Sequence, residues 1–352
     1  MPKLTVNTEK IRKNAETIVK LAAKQNIKVT GVTKVSCGSP KIAKAMLEGR
    51  VSSIGDSRLE NIHRLKKAGI KTEFMLLREP RQSEAKKVVQ LADISLNTEL
   101  ETMKKLSSVL KKEQEHKVII MVEMGDLREG VEPQKLDELI EQTLKLKGIN
   151  LHGLGMNLEC FAGVVPTKKK IDKFNRIIEE TQKKHGIKLE TISGGNSANI
   201  PLLLEGTDHG NINNLRIGEG ILLGVESVNR TPIPRTYQDA FIIEAELIEI
   251  EEKDSAPTDK TAQTAFGKKR KLKDEGRMNR GLIALGLQDT RANGLTPLDK
   301  DIQVIGGTSD SIVLDMNETE YKLGDKIQFI PNYGALLAAF TSPYVDKEFQ
   351  QS

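Results

Sequence analysis

The sequence contains no tryptophan, four tyrosines and two cysteines in 352 residues. The two cysteines, Cys37 and Cys160, are far apart and lack the spacing of metal ligands. No disulfide framework is therefore implied, and we expect a protein of a reducing compartment. The five histidines are also scattered, so no metal site is predicted.

Long apolar runs are absent as well. None reaches the roughly 18 residues that a membrane-spanning helix requires, and the N-terminus lacks the apolar core of a signal peptide. The net charge is only +5, and lysines alternate with glutamates as on solvated helix faces. This balance argues against a nucleic-acid partner. We expect a cytoplasmic protein that acts on a small molecule, with neither a nucleic-acid nor a membrane partner.

Short apolar runs and amphipathic helical patterns alternate over residues 1–225. Eight such runs, separated by helices, predict a (β/α)8 barrel of the TIM type, an α/β fold, in preference to an open doubly wound sheet. The predicted strands are residues 28–34, 52–56, 73–77, 92–97, 117–124, 151–157, 189–194 and 213–217. The predicted helices are residues 40–49, 58–68, 82–91, 99–112, 134–146 and 168–185, the last with Thr167 and Gly186 as its caps.

The pattern changes after about residue 230, where Pro232 and Pro234 mark a boundary. Beyond them, short apolar runs separated by turn residues predict a mostly-β C-terminal domain. We therefore divide the chain into a barrel, residues 1–230, and a β domain, residues 231–352. The polar stretch 253–280, which contains the basic residues 268–271, is predicted to be a long exposed loop.

Lys34 ends the first predicted strand, and glycine-rich segments at residues 193–199 and 215–220 follow the seventh and eighth strands. In such a barrel the first strand neighbours the eighth, and functional groups come from the C-terminal ends of strands. A shielded lysine can form a Schiff base, and glycine-rich turns bind phosphate through backbone N–H groups. Pyridoxal 5′-phosphate (PLP) carries both an aldehyde and a phosphate, so we predict PLP as the cofactor.

Four segments resemble the alanine racemase family of fold-type III PLP enzymes and, more narrowly, its alanine/ornithine racemase-like branch. The resemblance covers nearly the whole chain. It implies an N-terminal barrel followed by a β domain, PLP as cofactor, and a head-to-tail homodimer whose active sites are built from both subunits. The segments are residues 32–38 (VTKVSCG), 157–164 (NLECFAGV), 286–289 (GLQD) and 308–311 (TSDS).

The resemblance implies roles around the cofactor ring. Lys34 matches the lysine that carries PLP and then acts as one base of racemisation. Arg216 matches the arginine that faces the pyridine nitrogen. Because arginine stays protonated, the nitrogen must remain unprotonated, which weakens the electron sink and favours racemisation. The family histidine beside the ring is Asn157 here.

The resemblance also implies a phosphate site. Ser197 matches a serine that donates to a phosphate oxygen, a role compatible with capping a helix. Gly218 and Glu219 would offer backbone N–H groups. Tyr333 matches a tyrosine of the β domain that hydrogen-bonds the phosphate, with a buried structural tyrosine as the alternative.

Substrate contacts are implied for two residues. Arg128 matches an arginine near the phenolic oxygen of PLP and the substrate carboxylate. Asp310 matches an aspartate near the substrate entrance, contributed across the dimer interface, with a turn aspartate as an equal alternative. A basic substrate also needs an acidic group at the far end of the pocket, and Asp289, Asp310 and Glu219 are the candidates.

Three departures from the family pattern matter. The tyrosine that follows the PLP lysine is Gly38 here and the family histidine is Asn157, and both losses alter the cavity and argue against a strict alanine racemase. The tyrosine that serves as the second base, donated by the partner subunit, has no counterpart in residues 254–258. The base on the opposite face of the substrate is therefore unidentified.

The resemblance thus implies a PLP-dependent amino-acid racemase, an isomerase, with ornithine favoured and lysine, alanine or serine as competitors. A PLP-dependent amino-acid decarboxylase is one alternative, which Arg216 opposes because decarboxylases of this fold type place an acidic residue there. A non-catalytic protein of PLP homeostasis is another, which the β domain opposes. A barrel without a cofactor is the third.

Overall fold

The computed structural model describes residues 1–267, 269–270 and 272–351. Lys268 and Lys271 of the basic stretch thus lie outside the described residues. The chain divides into two compact units: Thr8–Gln238, and Met1–Asn7 together with the residues from Asp239 onward. The sequence pattern predicts this division at residue 230. It did not predict that the first residues belong with the C-terminal ones.

The unit Thr8–Gln238 is a closed barrel of eight parallel strands, which confirms the predicted fold class. Each predicted strand forms, most of them shorter by one to three residues than the sequence pattern suggests. Strand β1 (Lys3–Asn7) precedes the barrel and lies in the other unit. The barrel strands are β2 (Lys28–Val32), β3 (Ser53–Asp56), β4 (Phe74–Leu76), β5 (Ile94–Asn97), β6 (His116–Met121), β7 (Ile149–Gly155), β8 (Thr191–Ser193) and β9 (Asn214–Ile217).

Helices connect these strands as the alternating pattern predicts. The first of them is not among the predicted helices, although its buried face repeats at helical spacing through Ile11, Ala15 and Ile18. In the longest, Thr167 accepts a hydrogen bond from the backbone N–H of Lys170, and Gly186 ends the helix at φ 62°, as predicted. The helices are α1 (Thr8–Ala23), α2 (Pro40–Glu48), α3 (Leu59–Lys67), α4 (Ala85–Leu91), α5 (Leu100–Val109), α6 (Pro133–Thr143), α7 (Lys168–His185), α8 (Ile200–Leu204) and α9 (Glu219–Leu223). No helix in the described part of the chain has both the length and the apolar character required to cross a membrane.

The second unit is built around one mostly antiparallel sheet, in agreement with the predicted β domain. Strand β1 joins it by pairing with the first and last strands listed below. The predicted loop 253–280 is shorter in the structure, because Lys253 pairs with Met278 across a hairpin. The elements are β10 (Phe241–Asp254), β11 (Arg277–Ile283), β12 (Leu295–Pro297), β13 (Gln303–Gly307), β14 (Ile312–Asp315), β15 (Lys326–Pro331), α10 (Tyr333–Thr341) and β16 (Asp346–Gln350).

The barrel interior has an apolar and a polar sector. On the side of β4, β5 and β6, a buried apolar cluster includes Met75, Leu96 and Met121, and Leu77 packs against it. On the side of β2, β3, β8 and β9, buried hydroxyl and amide side chains hydrogen-bond across neighbouring strands. A Cβ on Gly55 would meet both Leu77 and Thr30. The two sectors therefore face the same interior.

Barrel closure requires glycine at residue 153. The pairing of β6 with β7 shifts register at this point: Val118 pairs with Leu151 and Ile119 with Gly153, so the residue between Leu151 and Gly153 has no partner. A Cβ on Gly153 would lie 1.9 Å from the carbonyl oxygen of Thr191 in β8. We expect Gly153→Ala to lower the free energy of unfolding by about 3 kcal/mol or more, because backbone must move to admit the methyl group.

Urea unfolding followed by circular dichroism measures this effect. The control is Gly31→Ala in β2, whose Cβ would first meet the flexible Met46 side chain, 3.0 Å from its sulfur. Its cost should be about 1 kcal/mol. Equal urea midpoints for the two variants would contradict the close approach of β7 and β8.

Candidate active site

Closure of the barrel brings the first and last strands side by side. β2 and β9 are parallel neighbours, with Thr30 opposite Arg216 in the register. β2 ends at Val32, so Lys34 is not the last strand residue that the sequence predicted. It begins a single 3₁₀ turn, Lys34–Ser36, and is half-buried there. Lys34 thus stands just beyond the C-terminal end of the strand adjacent to Arg216.

The turn that carries Lys34 is anchored from the next strand. Thr33 donates its hydroxyl hydrogen to Asp56 Oδ2 at 2.8 Å. The other oxygen of Asp56 accepts from Asn61 Nδ2 at 2.9 Å and from the backbone of Arg58 at 3.0 Å. Burial raises the pKa of Asp56, and these hydrogen bonds oppose the increase. The backbone beside Lys34 is therefore fixed by a buried carboxylate.

The same turn explains why Gly38 replaces the family tyrosine. Gly38 has φ 62°, a left-handed conformation that favours glycine. A Cβ there would lie 2.6 Å from Cβ of Asn61. A tyrosine therefore does not fit this backbone, and the departure noted in the sequence is a local steric requirement.

Arg216 places a positive charge inside the barrel. Its side chain is 6% exposed and makes three hydrogen bonds, all to neutral oxygens. The acceptors are Ser193 Oγ at 2.5 Å, the carbonyl oxygen of Met156 at 3.0 Å and Asn157 Oδ1 at 3.3 Å. Burial lowers the pKa of Arg216 to about 10, so the guanidinium remains protonated at neutral pH. Since a guanidinium has five N–H groups, at least two have no acceptor among the described residues.

Asn157 connects Arg216 to the neighbouring loops. Its Oδ1 accepts from both Arg216 and Asn196 Nδ2, each at 3.3 Å. Its Nδ2 lies 3.5 Å from an oxygen of Asp126. Asp126 in turn accepts from the backbone N–H groups of Phe161 and Ala162, each at 3.2 Å. The residue that replaces the family histidine is therefore the centre of a polar network that spans the loops after β6, β7 and β8.

The two glycine-rich segments contact each other. The backbone N–H of Gly220 donates to Ser197 Oγ at 3.1 Å. Ser197 begins a 3₁₀ turn capped by Asn196, whose Oδ1 accepts from the backbone N–H of Ala198 at 2.8 Å. Because Ser197 accepts from Gly220, its own hydroxyl hydrogen is available to an anion. The residues predicted to bind phosphate are thus brought together at the ends of β8 and β9.

Gly218 caps α9, and Glu219 is its first residue. The Glu219 side chain is mostly buried and forms an ion pair with Arg230. Burial raises the pKa of Glu219 to about 7, although Arg230 opposes the increase. The carboxylate of Glu219 already has a cationic partner, which weakens its candidacy for binding a cationic substrate.

Arg128 is not hydrogen-bonded to this network. It lies in the loop after β6, exposed, and forms an ion pair with the adjacent Glu129. The charges of Arg128 and Glu129 nevertheless act on the pKa of Arg216, which Glu129 raises and Arg128 lowers. The loop therefore influences the site electrostatically.

The remaining predicted residues lie in the β unit. Tyr333 is the first residue of α10, directly after the capping residue Asn332. Asp310 lies in the exposed loop between β13 and β14, where its Oδ1 accepts from the hydroxyl of Thr308 at 2.9 Å. Hydrogen bonds, the largest from Thr308, lower the pKa of Asp310. Asp310 is thus an ionised, accessible carboxylate.

Asp289 has a structural role that the sequence analysis could not assign. Its two oxygens accept from the backbone N–H of Gly286 at 3.2 Å and from the Ser342 hydroxyl at 2.8 Å. It is 4% exposed. This burial removes Asp289 from the candidates for binding a cationic substrate. Nearby, the backbone of residues 287 and 288 donates to the carbonyl oxygens of Thr308 and Ser309, so two of the four family-like segments pack together.

The structure adds several polar residues to the site that are not among the predicted ones, namely Asp126, Ser193 and Asn214. One signal was available: Asn214 and Arg216 alternate with Leu215 and Ile217 along a buried strand, so both point to the same face. Among the described residues, no group of three or more histidine, cysteine, aspartate or glutamate side chains could hold a metal ion.

Comparisons with known proteins agree with this geometry. A family model described as alanine racemase, N-terminal domain, matches residues 6–225. The chain is 38% identical to a lysine racemase of Thermotoga maritima over 100% of this chain and 99% of the relative. It is 39% identical to an ornithine racemase of Acetoanaerobium sticklandii over 99% of each chain.

Solved structures give the same fold. An alanine racemase of Clostridium difficile superposes with a TM-score of 0.75 at 19% identity, covering 100% of this chain and 96% of that one. An alanine racemase from a D-cycloserine-producing Streptomyces lavendulae superposes with a TM-score of 0.78 at 16% identity, covering 100% and 97%. The resemblance predicted from the sequence is confirmed, and the chain belongs to the alanine racemase family.

Proposed function

We propose that this protein interconverts the L- and D-enantiomers of a basic amino acid, ornithine or lysine, with PLP as its cofactor. Its family makes it an amino-acid racemase, and its full-length relatives are named for lysine and ornithine. The observation that carries the reaction type is Arg216, a buried, protonated guanidinium beside the strand that leads to Lys34.

The described residues fit the chemistry of PLP. Lys34 is half-buried beyond a strand end, where its amine can form the covalent link to the cofactor. Arg216 has N–H groups to spare for the ring nitrogen, and the Ser197 hydroxyl and the backbone near Gly220 suit a phosphate. When bound, PLP supplies the electron acceptor that stabilises negative charge at the substrate Cα.

In this proposal the protein supplies proton transfer and orientation. Lys34 Nζ would remove or return the proton at the substrate Cα on one face. Arg216 would donate a hydrogen bond to the ring nitrogen without protonating it, since its pKa of about 10 keeps its own proton in place. Negative charge would then stay near Cα, which favours return of the proton there. Arg128 and Asp310 are proposed to contact the substrate, and Tyr333 the phosphate.

We propose that the protein works as a homodimer with shared active sites. The large apolar side chains of Leu127 and Phe161 are each 71% exposed. They belong to loops that touch, because Phe161 donates its backbone N–H to Asp126, the residue before Leu127. Exposed large apolar side chains on neighbouring loops are typical of an interface with another chain. The base on the second face of the substrate would then come from either subunit.

The alternatives to racemisation have less support. A decarboxylase of this fold type has an acidic residue where Arg216 lies. The curated relatives match both units of the chain, whereas a PLP-homeostasis protein would resemble the barrel alone.

Chiral chromatography tests the function directly. The PLP-loaded protein, incubated with L-ornithine or L-lysine, should produce the D-form until both enantiomers are equal, because they have equal free energy in water. L-alanine, L-serine and L-arginine are the comparison substrates. Loss of the L-substrate with release of carbon dioxide would instead identify a decarboxylase. Bound PLP without any D-product would support the homeostasis alternative.

Lys34→Ala tests the site of covalent attachment. We expect this variant to lose both racemase activity and the visible absorbance of the PLP–lysine linkage, because no other proposed site residue has an amine. The control is Lys44→Ala, an exposed lysine of α2 that pairs with Glu48 at 3.8 Å and should change neither property. Absorbance that persists in Lys34→Ala would place the attachment at another lysine.

Ser197→Ala tests the phosphate site. Removing one hydroxyl that donates to a phosphate oxygen should raise the dissociation constant for PLP roughly tenfold. Equilibrium dialysis of the protein against PLP measures this constant. Ser95→Ala, which removes a buried hydroxyl from β5, is the control and should leave it unchanged. An unchanged constant in Ser197→Ala would exclude Ser197 from the phosphate site.

A further inference from the structure

Four buried side chains form a continuous row of hydrogen bonds that ends on Arg216. Ser193 Oγ accepts from Arg216 at 2.5 Å and donates to Asn214 Oδ1 at 2.6 Å. Asn214 Nδ2 donates to Thr30 Oγ1 at 2.9 Å, which lies 2.8 Å from Ser53 Oγ. We call Ser193, Asn214, Thr30 and Ser53 the interior hydrogen-bond chain.

The interior hydrogen-bond chain has a fixed direction from Arg216 as far as Thr30. Ser193 accepts from a cation, so its hydroxyl hydrogen must point away from Arg216, toward Asn214. Asn214 then presents its amide hydrogens to Thr30, whose hydroxyl also hydrogen-bonds Ser53. Ser193 and Asn214 therefore both turn the negative ends of their dipoles toward the guanidinium, and such aligned hydrogen bonds strengthen one another.

Burial makes the arrangement rigid. Ser193 and Thr30 are 0% exposed, and Asn214 and Ser53 are 6% exposed, so water does not compete for these groups. The members come from β8, β9, β2 and β3, which are consecutive around the barrel. The orientation of the Ser193 oxygen is thereby fixed by strands that are held in place by the closed barrel.

We propose that Ser193 and Asn214 are positioning residues, which fix the plane of the Arg216 guanidinium so that its spare N–H groups meet the cofactor ring nitrogen. This role rests on the proposed function. It gives Ser193 and Asn214, which lie outside the phosphate and lysine sites, a part in orienting Arg216 for the reaction. Without a carboxylate among its hydrogen-bond partners, Arg216 depends on neutral dipoles for its direction while its charge stays available to the ring.

The test compares Ser193→Ala with Ser193→Thr, Asn214→Leu and Ser95→Ala. Ser193→Ala leaves Asn214 Oδ1 and one guanidinium N–H unpaired, whereas Ser193→Thr keeps the hydroxyl. Ser95 is the matched control: it is also 0% exposed in a barrel strand and also makes two hydrogen bonds, to Asn97 and His116. The free energy of unfolding, the visible spectrum of the PLP-loaded protein, kcat and KM are measured for each.

We expect Ser193→Ala to lower kcat roughly 10- to 100-fold, the effect of losing a hydrogen bond to a charged group, with little change in KM. Its visible spectrum should shift because the ring nitrogen loses a fixed donor. Asn214→Leu should also lower kcat and shift the spectrum. Ser193→Thr should keep the wild-type kcat and spectrum, and Ser95→Ala should lower only the free energy of unfolding.

Several outcomes would overturn the inference. If Ser193→Ala and Ser95→Ala lose equal stability while both keep the wild-type kcat and spectrum, Ser193 only packs the barrel. A spectrum unchanged in Ser193→Ala despite a lower kcat would also refute positioning of Arg216. If the wild-type protein binds no PLP and makes no D-enantiomer, the proposed function fails and the inference fails with it; a racemising wild type with unaffected variants refutes the inference alone.

Discussion

The pairing of β2 with β9 is the constraint on which the rest of the site depends. It closes the barrel and places Thr30 beside Arg216, although the two residues are remote in sequence. Lys34 follows β2 by two residues, and the turn containing Gly218 follows β9. Without closure, the lysine would be separated from the arginine and the glycine-rich segments by the width of an open sheet. The strand pairing that closes the barrel therefore also brings the site residues together.

The second feature on which the site depends is the buried charge of Arg216. A buried cation is costly unless its N–H groups are satisfied, and here three neutral oxygens supply acceptors from β8 and the loop after β7. The nearby charge of Glu129 raises the pKa of Arg216, partly opposing the effect of burial. This balance keeps a donor protonated in the interior, which is the electrostatic condition for racemisation in the proposed mechanism.

The β unit shows how similar motifs can have different roles. The segments around Asp289 and Asp310 both match the family, yet Asp289 is buried and satisfied by Gly286 and Ser342. Asp310 is exposed and bonded to its own loop. Asp289 is a structural carboxylate that holds the loop on which the Asp310 segment packs. Asp310 remains available to a ligand.

The sequence by itself determined the eight strands, most of the helices and the family, because periodicity, caps and characteristic segments are local signals. It also predicts the lysine and the glycine-rich segments of the proposed site. Only the tertiary structure decided which polar residues work together. Ser193 and Asn214 look like ordinary strand residues until closure aligns them with Arg216, and β1 finds its partners in β10 and β16, far along the chain. The reason is physical: hydrogen bonds between strands depend on register and on which face a side chain occupies, and both are fixed only when the barrel and the sheet have formed.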